Sequence, residues 1–223
     1  MIQHSKQSRP AVADIATDVG ARFAPVGRHG ATSRSALRDS AFFLRGFLHH
    51  PEQVGSVIPS SRFLERRIVQ CANAHAARIV VELGPGTGGT TRALLNSMRA
   101  DARLLAIDLS RAFCGRLATT IQDARLAIQC GSAEHVEAFM QGLRLPHADA
   151  IVSGIPFSTM PPAVADRIAR AVATALAPGG HFVAYQVRPH VADYMAPYLG
   201  TSRCEWELIN VPPMRVFTWV RAE

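Results

Sequence analysis

The residues best placed to do chemistry lie in "VVELGPGTGGTT", residues 80–91. Glu82 closes an apolar run, and Gly84, Gly86 and Gly88 follow it at alternate positions. Glycines at that spacing strip side chains from a backbone that turns sharply and that a flat or anionic group approaches closely. A second carboxylate, Asp108, ends "RLLAID", twenty residues past Gly88. At a strand end such an acid accepts hydrogen bonds from both hydroxyls of a ribose, and with no cation beside it disfavours a 2′-phosphate. A glycine turn without a ligand, and a cap for a helix starting near Ser110, are the structural alternatives for these two features.

A further candidate is "DAIVSGIPFS", residues 149–158. The Ser153–Phe157 turn is expected to present the carbonyl oxygens of Ser153 and Gly154, shaped by Pro156. An aromatic face from Phe157 would suit an ammonium by cation–π attraction. In the alternative reading Pro156 and Phe157 only shape the loop. "QCGSAEHV" supplies a hydroxyl at Ser132, a small apolar contact at Ala133 and a helix-capping acid at Glu134. Cys71, Cys114, Cys130 and Cys204 are widely spaced and form no CxxC pair, which reads as structural thiols in a reducing compartment. Only His49 and His50 lie close together, so no metal site is expected.

These residues need strands and helices to position them. Apolar runs and turn residues predict strands at 78–83, 103–108, 125–130, 148–153, 181–187, 204–210 and 214–221. Helices are predicted near 89–99, 110–121, 133–141, 161–176 and 190–198, and from a cap at Ser60 or Ser61 to about Ala76. Such alternation specifies an α/β fold with a mostly parallel sheet covered on both faces. The last two strands, joined around Pro212-Pro213 without a helix, are expected as an antiparallel edge hairpin. Ligands of such a sheet sit beyond the carboxyl ends of its strands, where the strand order reverses. "ELGPGTG" occupies that place.

The chain is 48% hydrophobic, sufficient for one buried domain and an appendage. No apolar stretch is long enough to span a bilayer, and the first residues lack the apolar core of a secretory signal. Residues 1–78 hold 11 Lys/Arg against 5 Asp/Glu, or +6, whereas residues 79–223 hold 13 against 12, or +1. The basic front points to an anionic partner, nucleic acid or a lipid surface; a solvated tail is the plain alternative. Within it, Leu37, Ala41, Phe43, Leu44, Phe47 and Leu48 share one helical face over 34–49, with Arg34, Arg38 and Arg45 on its flank.

The glycines run GxGxG and not the GxGxxG of dinucleotide sites. With Glu82 ahead of them they resemble motif I of the Rossmann-like, class I S-adenosylmethionine-dependent methyltransferases. The resemblance implies that Glu82 helps fix the methionine amino end and that Gly84, Gly86 and Gly88 pass beneath the nucleoside. S-adenosyl-L-methionine is therefore the expected cofactor. These enzymes often bond the adenine amino group with an acid where Ser132 stands. "DAIVSGIPFS" resembles the Asn/Asp-Pro-Pro-Tyr motif of amino methyltransferases, with Ser153 replacing the Asn or Asp.

"GSVIPSSRFLERRI", "VVELGPGTGGTTRALL", "DAIVSGIPFS", "LAPGGHFVAYQV" and "NVPPMRVF", in that order, resemble the bacterial phospholipid N-methyltransferases. The likeness covers roughly residues 40–222, with Asp108 where the family usually has Glu. It implies a cytoplasmic monomer, peripherally associated with the inner face of an anionic membrane, that methylates an amino lipid. Phosphatidylethanolamine is the expected acceptor, and relatives act on ornithine lipids. Methylation of RNA adenine or of a small soluble amine is the alternative. No C-terminal helical module follows the catalytic fold, which disfavours nucleic acid. Three regions are expected: a flexible tail over 1–33, a helical segment for membrane or substrate over 34–76, and the methyltransferase domain over 77–223.

Overall fold

β-Branched and aliphatic runs become the strands of one seven-stranded sheet, ordered β3-β2-β1-β4-β5-β7-β6. The computed structural model describes residues 60–223, so the expectations for the 1–33 tail and the 34–49 segment lie outside the described residues. Strands β1 (Ile79–Leu83), β2 (Arg103–Asp108), β3 (Leu126–Cys130), β4 (Ala148–Ser153) and β5 (Leu176–Gln186) are parallel. Strands β6 (Arg203–Glu207) and β7 (Met214–Val220) close the edge as the antiparallel hairpin expected from the Pro212-Pro213 junction.

Alternate side chains of each strand serve opposite layers. Val81, Leu83, Ile107 and Ile151 face one core, shared with α4 (Val136–Gly142), α5 (Pro162–Ala175) and α6 (His190–Leu199). Val80, Leu104, Val152 and Val183 face the other, where α1 (Arg62–Cys71) inserts Leu64 and Ile68, and α2 (Gly89–Ser97) inserts Leu94. Helix α3 (Arg111–Thr120) covers β2 and β3. Among the described residues no helix is long and apolar enough to cross a membrane.

Three boundaries differ from the sequence expectation for local reasons. Helix α1 stops at Cys71 because Asn73 turns left-handed, at φ 50°, and its N–H closes onto the Gln70 carbonyl. Strand β6 ends at Glu207, not 210, because Glu207 Oε1 accepts the Ile209 N–H and folds the chain into a loop. Strand β5 begins at Leu176 and not at 181, with Pro178-Gly179-Gly180 inside it as an irregularity where pairing with β4 slips between Ala148 and Ala150.

Helix α1 is fastened to the hairpin. Ser61 caps it by accepting the Leu64 N–H at 3.2 Å, and the Ser61 N–H donates to Asn210 Oδ1 at 2.9 Å. Arg67 bridges Glu205 at 2.6 Å and Glu207 at 2.9 Å. At the opposite end of the sheet, Asp149 Oδ2 accepts the Arg78 and Ile79 N–H groups at 2.7 and 2.9 Å, starting β1 in register with β4. Charge-assisted bonds of this kind contribute about 1.5–3 kcal/mol each. Asp149→Ala is accordingly expected to lower the unfolding free energy by about 2 kcal/mol in urea titrations, with cofactor affinity unchanged.

Candidate active site

The strand order reverses between β1 and β4, and the loops that leave them meet. The Gly154 N–H donates to the Leu83 carbonyl, and the Gly84 N–H to that of Ile107, each at 2.9 Å. Gly84, Gly86 and Gly88 have φ values of 75°, 52° and 84°, a region that side-chain-bearing residues avoid. A Cβ on Gly84 would make an ordinary contact with Ile155 at 3.5 Å, so its positive φ, not a steric clash, is what favours glycine there. A Cβ on Gly86 would meet nothing within 4 Å, so the space above the loop is free for a ligand. Gly88 then starts α2, and Arg92 donates back to its carbonyl at 3.1 Å.

Glu82 is completely buried, at 0% exposure. Its Oε2 accepts the Thr91 hydroxyl at 2.6 Å, while Oε1 has no partner. Burial pushes this carboxyl up to about 7, against the Thr91 bond, with smaller contributions from Asp108 and Glu65. At the end of β2, Asp108 Oδ2 accepts the Gly86 N–H at 3.2 Å and Oδ1 the Ser110 N–H at 2.8 Å. Burial also raises Asp108, and its two backbone bonds oppose the rise. It thus ties the glycine loop to β2 and keeps lone pairs free for hydroxyl donors. The cap of α3 is Ser110 itself. Ser132 caps the short 3-10 turn before α4 and donates to Glu134 Oε2 at 2.9 Å, while Glu134 pairs with Arg167. Ala133 is buried in the core below.

The transfer turn differs from expectation at Phe157. Its ring is 1% exposed and packs 6.1 Å from that of Tyr194, because the chain coils into a 3-10 turn at Phe157–Thr159 and swings the ring inward. It shapes the loop from below and offers no face to an ammonium. Ser153 is buried, and its hydroxyl accepts the Ile155 N–H at 3.4 Å. Pro156 begins the 3-10 turn, and its carbonyl accepts the Thr159 hydroxyl at 3.1 Å.

Two residues missed in the sequence, Tyr185 and Gln186, face this turn, and a third, Glu65, lies against the start of α2. A Cβ on Gly154 would lie 2.5 Å from the Tyr185 hydroxyl, which also sits 3.4 Å from Thr90 Oγ1. Gln186 donates to the Ile155 carbonyl at 2.8 Å, and its buried Oε1 has no partner. Glu65, from α1, places Oε1 within 2.5 Å of where a Gly89 Cβ would stand, and burial raises its pKa. Tyr185 and Gln186 are legible only as a polar pair at the end of an apolar strand, and Glu65 only as a helix-start acid.

A family model described as a methyltransferase domain matches residues 80–180. The ornithine lipid N-methyltransferase of Singulisphaera acidiphila is 30% identical over 179 residues, covering 79% of this chain and 93% of that protein. The chain belongs to the class I S-adenosylmethionine-dependent methyltransferases, in the bacterial lipid methyltransferase family. Ribosomal RNA small subunit methyltransferase A of Streptomyces avermitilis is 34% identical over 103 residues, 44% of this chain but only 32% of that protein. The N-methyltransferase NodS from Bradyrhizobium japonicum, solved with S-adenosyl-L-homocysteine, shares the fold. Its TM-score is 0.56 at 17% identity, over 73% of this chain and 89% of that one.

S-adenosyl-L-methionine is the cofactor, and the residues at the glycine loop fit it. The unpartnered Glu82 oxygen suits a buried ammonium, the open space over Gly86 suits a nucleoside, and Asp108 retains acceptor capacity for ribose hydroxyls. A carboxyl raised from 4.5 to about 7 binds its proton more tightly in the folded protein. The stability this gives is full below pH 4.5 and is lost as pH rises through about 7, a range worth about 3 kcal/mol. Glu82→Gln is expected to flatten that part of the ligand-free melting profile and raise Tm at pH 8. Calorimetry should show the same variant binding the cofactor at least tenfold more weakly.

Proposed function

We propose that the protein transfers methyl groups to the amine of a polar lipid headgroup, ornithine lipid or phosphatidylethanolamine. The observation that carries this reading is the chemistry facing the transfer turn. Gln186 Oε1 is an acceptor without a donor, the Glu65 carboxylate approaches from α1, and the Tyr185 hydroxyl borders Gly154. Hydrogen-bond acceptors and negative charge attract a protonated amine. The side chain at 153 is a buried serine already bonded to the turn, so it does not supply the amide that would hold a planar base. The ornithine lipid enzyme, alike over most of both chains, supports the same choice.

S-adenosylmethionine supplies an electrophilic methyl group on a positively charged sulfur. The remaining work of the protein is alignment, desolvation and removal of one proton from the amine. Glu82, the Gly84–Gly88 loop and Asp108 hold the donor side. The Ser153 and Gly154 carbonyl oxygens and Tyr185 orient the amine. Burial and the Glu82 charge raise the Tyr185 pKa, so its hydroxyl stays neutral and acts by hydrogen bonding. Glu65, half-buried beside Gly89 with a raised pKa, is the group we assign to accept the departing proton.

The amine attacks only when neutral, so activity should rise from neutral to mildly alkaline pH. Methyl incorporation would be measured into ornithine lipid, phosphatidylethanolamine, free ethanolamine and a ribosomal RNA fragment. Transfer to an amino lipid is expected, and transfer to RNA alone would overturn the reading. Tyr185→Phe should lower kcat about tenfold or more with little change in cofactor affinity. Phe157→Ala should instead lower stability, by about 3–5 kcal/mol, as for a buried core ring.

A further inference from the structure

The loop joining β6 to β7, residues 208–213, has its polarity inverted. Its polar side chains are buried: Asn210 accepts the Ser61 N–H and donates to the Pro212 carbonyl, and Glu207 holds the Ile209 N–H and Arg67. Its apolar side chains face solvent, with Leu208 70%, Ile209 61% and Val211 74% exposed. Loop tips of a soluble protein ordinarily show the reverse, and a clustered apolar surface held by buried polar anchors marks a binding face. Trp206, on β6, and Phe63, next to the Ser61 anchor, are also exposed.

Arginines border this surface. The Arg215 guanidinium lies 4.3 Å from the Trp206 ring centroid and donates to the Val187 carbonyl at 2.7 Å. The Arg62 guanidinium lies 5.1 Å from the Phe63 ring centroid. Exposed apolar tips flanked by cations match a bilayer, where the side chains enter the headgroup boundary and the guanidinium groups meet phosphates. The position is also suited to it. Gln186 pairs with Arg215 and Glu207 with Met214, so the loop leaves the sheet at the same end as the Gly84 and Gly154 loops.

We propose that the β6–β7 loop, with Trp206 and Phe63 beside it, is a membrane-insertion element that seats an anionic phospholipid bilayer against the acceptor side of the site. It rests on the lipid-amine reading for its purpose, yet its test requires no methyl transfer. Vesicles of phosphatidylcholine and phosphatidylglycerol carry negative charge and no amine to methylate. The full chain should sediment with them, and its emission should shift to the blue. Trp219 is buried and Trp206 is not, so Trp206→Phe should abolish the shift.

Leu208→Asp combined with Ile209→Asp should lower vesicle partition roughly tenfold or more with unchanged cofactor affinity. The milder pair Leu208→Ala and Ile209→Ala should give a smaller loss in the same direction, and its melting temperature should match wild type. Equal sedimentation of wild type and the Asp pair, or no sedimentation of either, would overturn the proposal. So would a wild-type dimer that the Asp pair converts to monomer in light scattering, which would make the surface a contact between copies. Vesicle binding through this loop without methylation of any amino lipid would sink the acceptor reading and leave the insertion element standing.

Discussion

The site is organised around a carboxylate that the fold buries without fully satisfying. Removing Glu82 from water is costly, and one hydroxyl, that of Thr91, offsets only part of the cost. The Thr91 bond fixes the first turn of α2 against the end of β1. That geometry in turn forces Gly84, Gly86 and Gly88 through left-handed conformations between the two elements. Asp108 draws the loop to β2 through the Gly86 N–H, and the Leu83 carbonyl draws in Gly154 from β4. A cationic ligand would supply the partner that Glu82 Oε1 lacks, which favours its binding at this point.

The donor half of this site was legible because its chemistry is local in sequence. Glu82, the glycines and Asp108 sit at strand ends whose apolar runs are unmistakable, and a glycine spacing translates directly into backbone path. The acceptor half was not. Tyr185, Gln186 and Glu65 acquire meaning only when β5 lies beside β4 and α1 crosses the start of α2. Phe157 misled because an aromatic after Pro156 looks like a ring presented at a turn. The direction of that ring is decided by one 3-10 turn and by Tyr194, thirty-seven residues later. The seven strands and the antiparallel edge hairpin were read from the sequence, most of the strands to within a few residues, whereas the ends of α1 and β6 depended on Asn73 and on the Glu207 side chain.

Gly154 links the two halves. Its amide is bonded to Leu83 on the donor strand, and its missing side chain makes room for the Tyr185 hydroxyl on the acceptor side. Tyr185 in turn touches Thr90, the neighbour of the residue that holds Glu82. A change of charge at Glu82 on cofactor binding is therefore felt at the tyrosine within a few ångströms, in surroundings where burial strengthens electrostatic interactions. This short chain of contacts connects the side chain beside the glycine loop to the hydroxyl beside the Gly154 turn.

Family membership and acceptor choice separate along the same line. The glycine loop and its two acids face the cofactor side of the site and carry no information about the acceptor. In the proposed reading acceptor chemistry comes instead from α1, the end of β5 and the terminal hairpin; Ser61–Asn210 and the Arg67 ion pairs bind α1 and the hairpin into one block. That block carries the Glu65 carboxylate and the outward-facing Leu208, Ile209 and Val211 together. On the proposed lipid reading, a proton acceptor and an apolar surface carried on one block would set the depth of the membrane relative to the reacting nitrogen. On that reading, a headgroup amine a few bonds from its phosphate would reach the turn at Gly154 with its acyl chains still in the bilayer, so the reaction would not require extraction of the lipid.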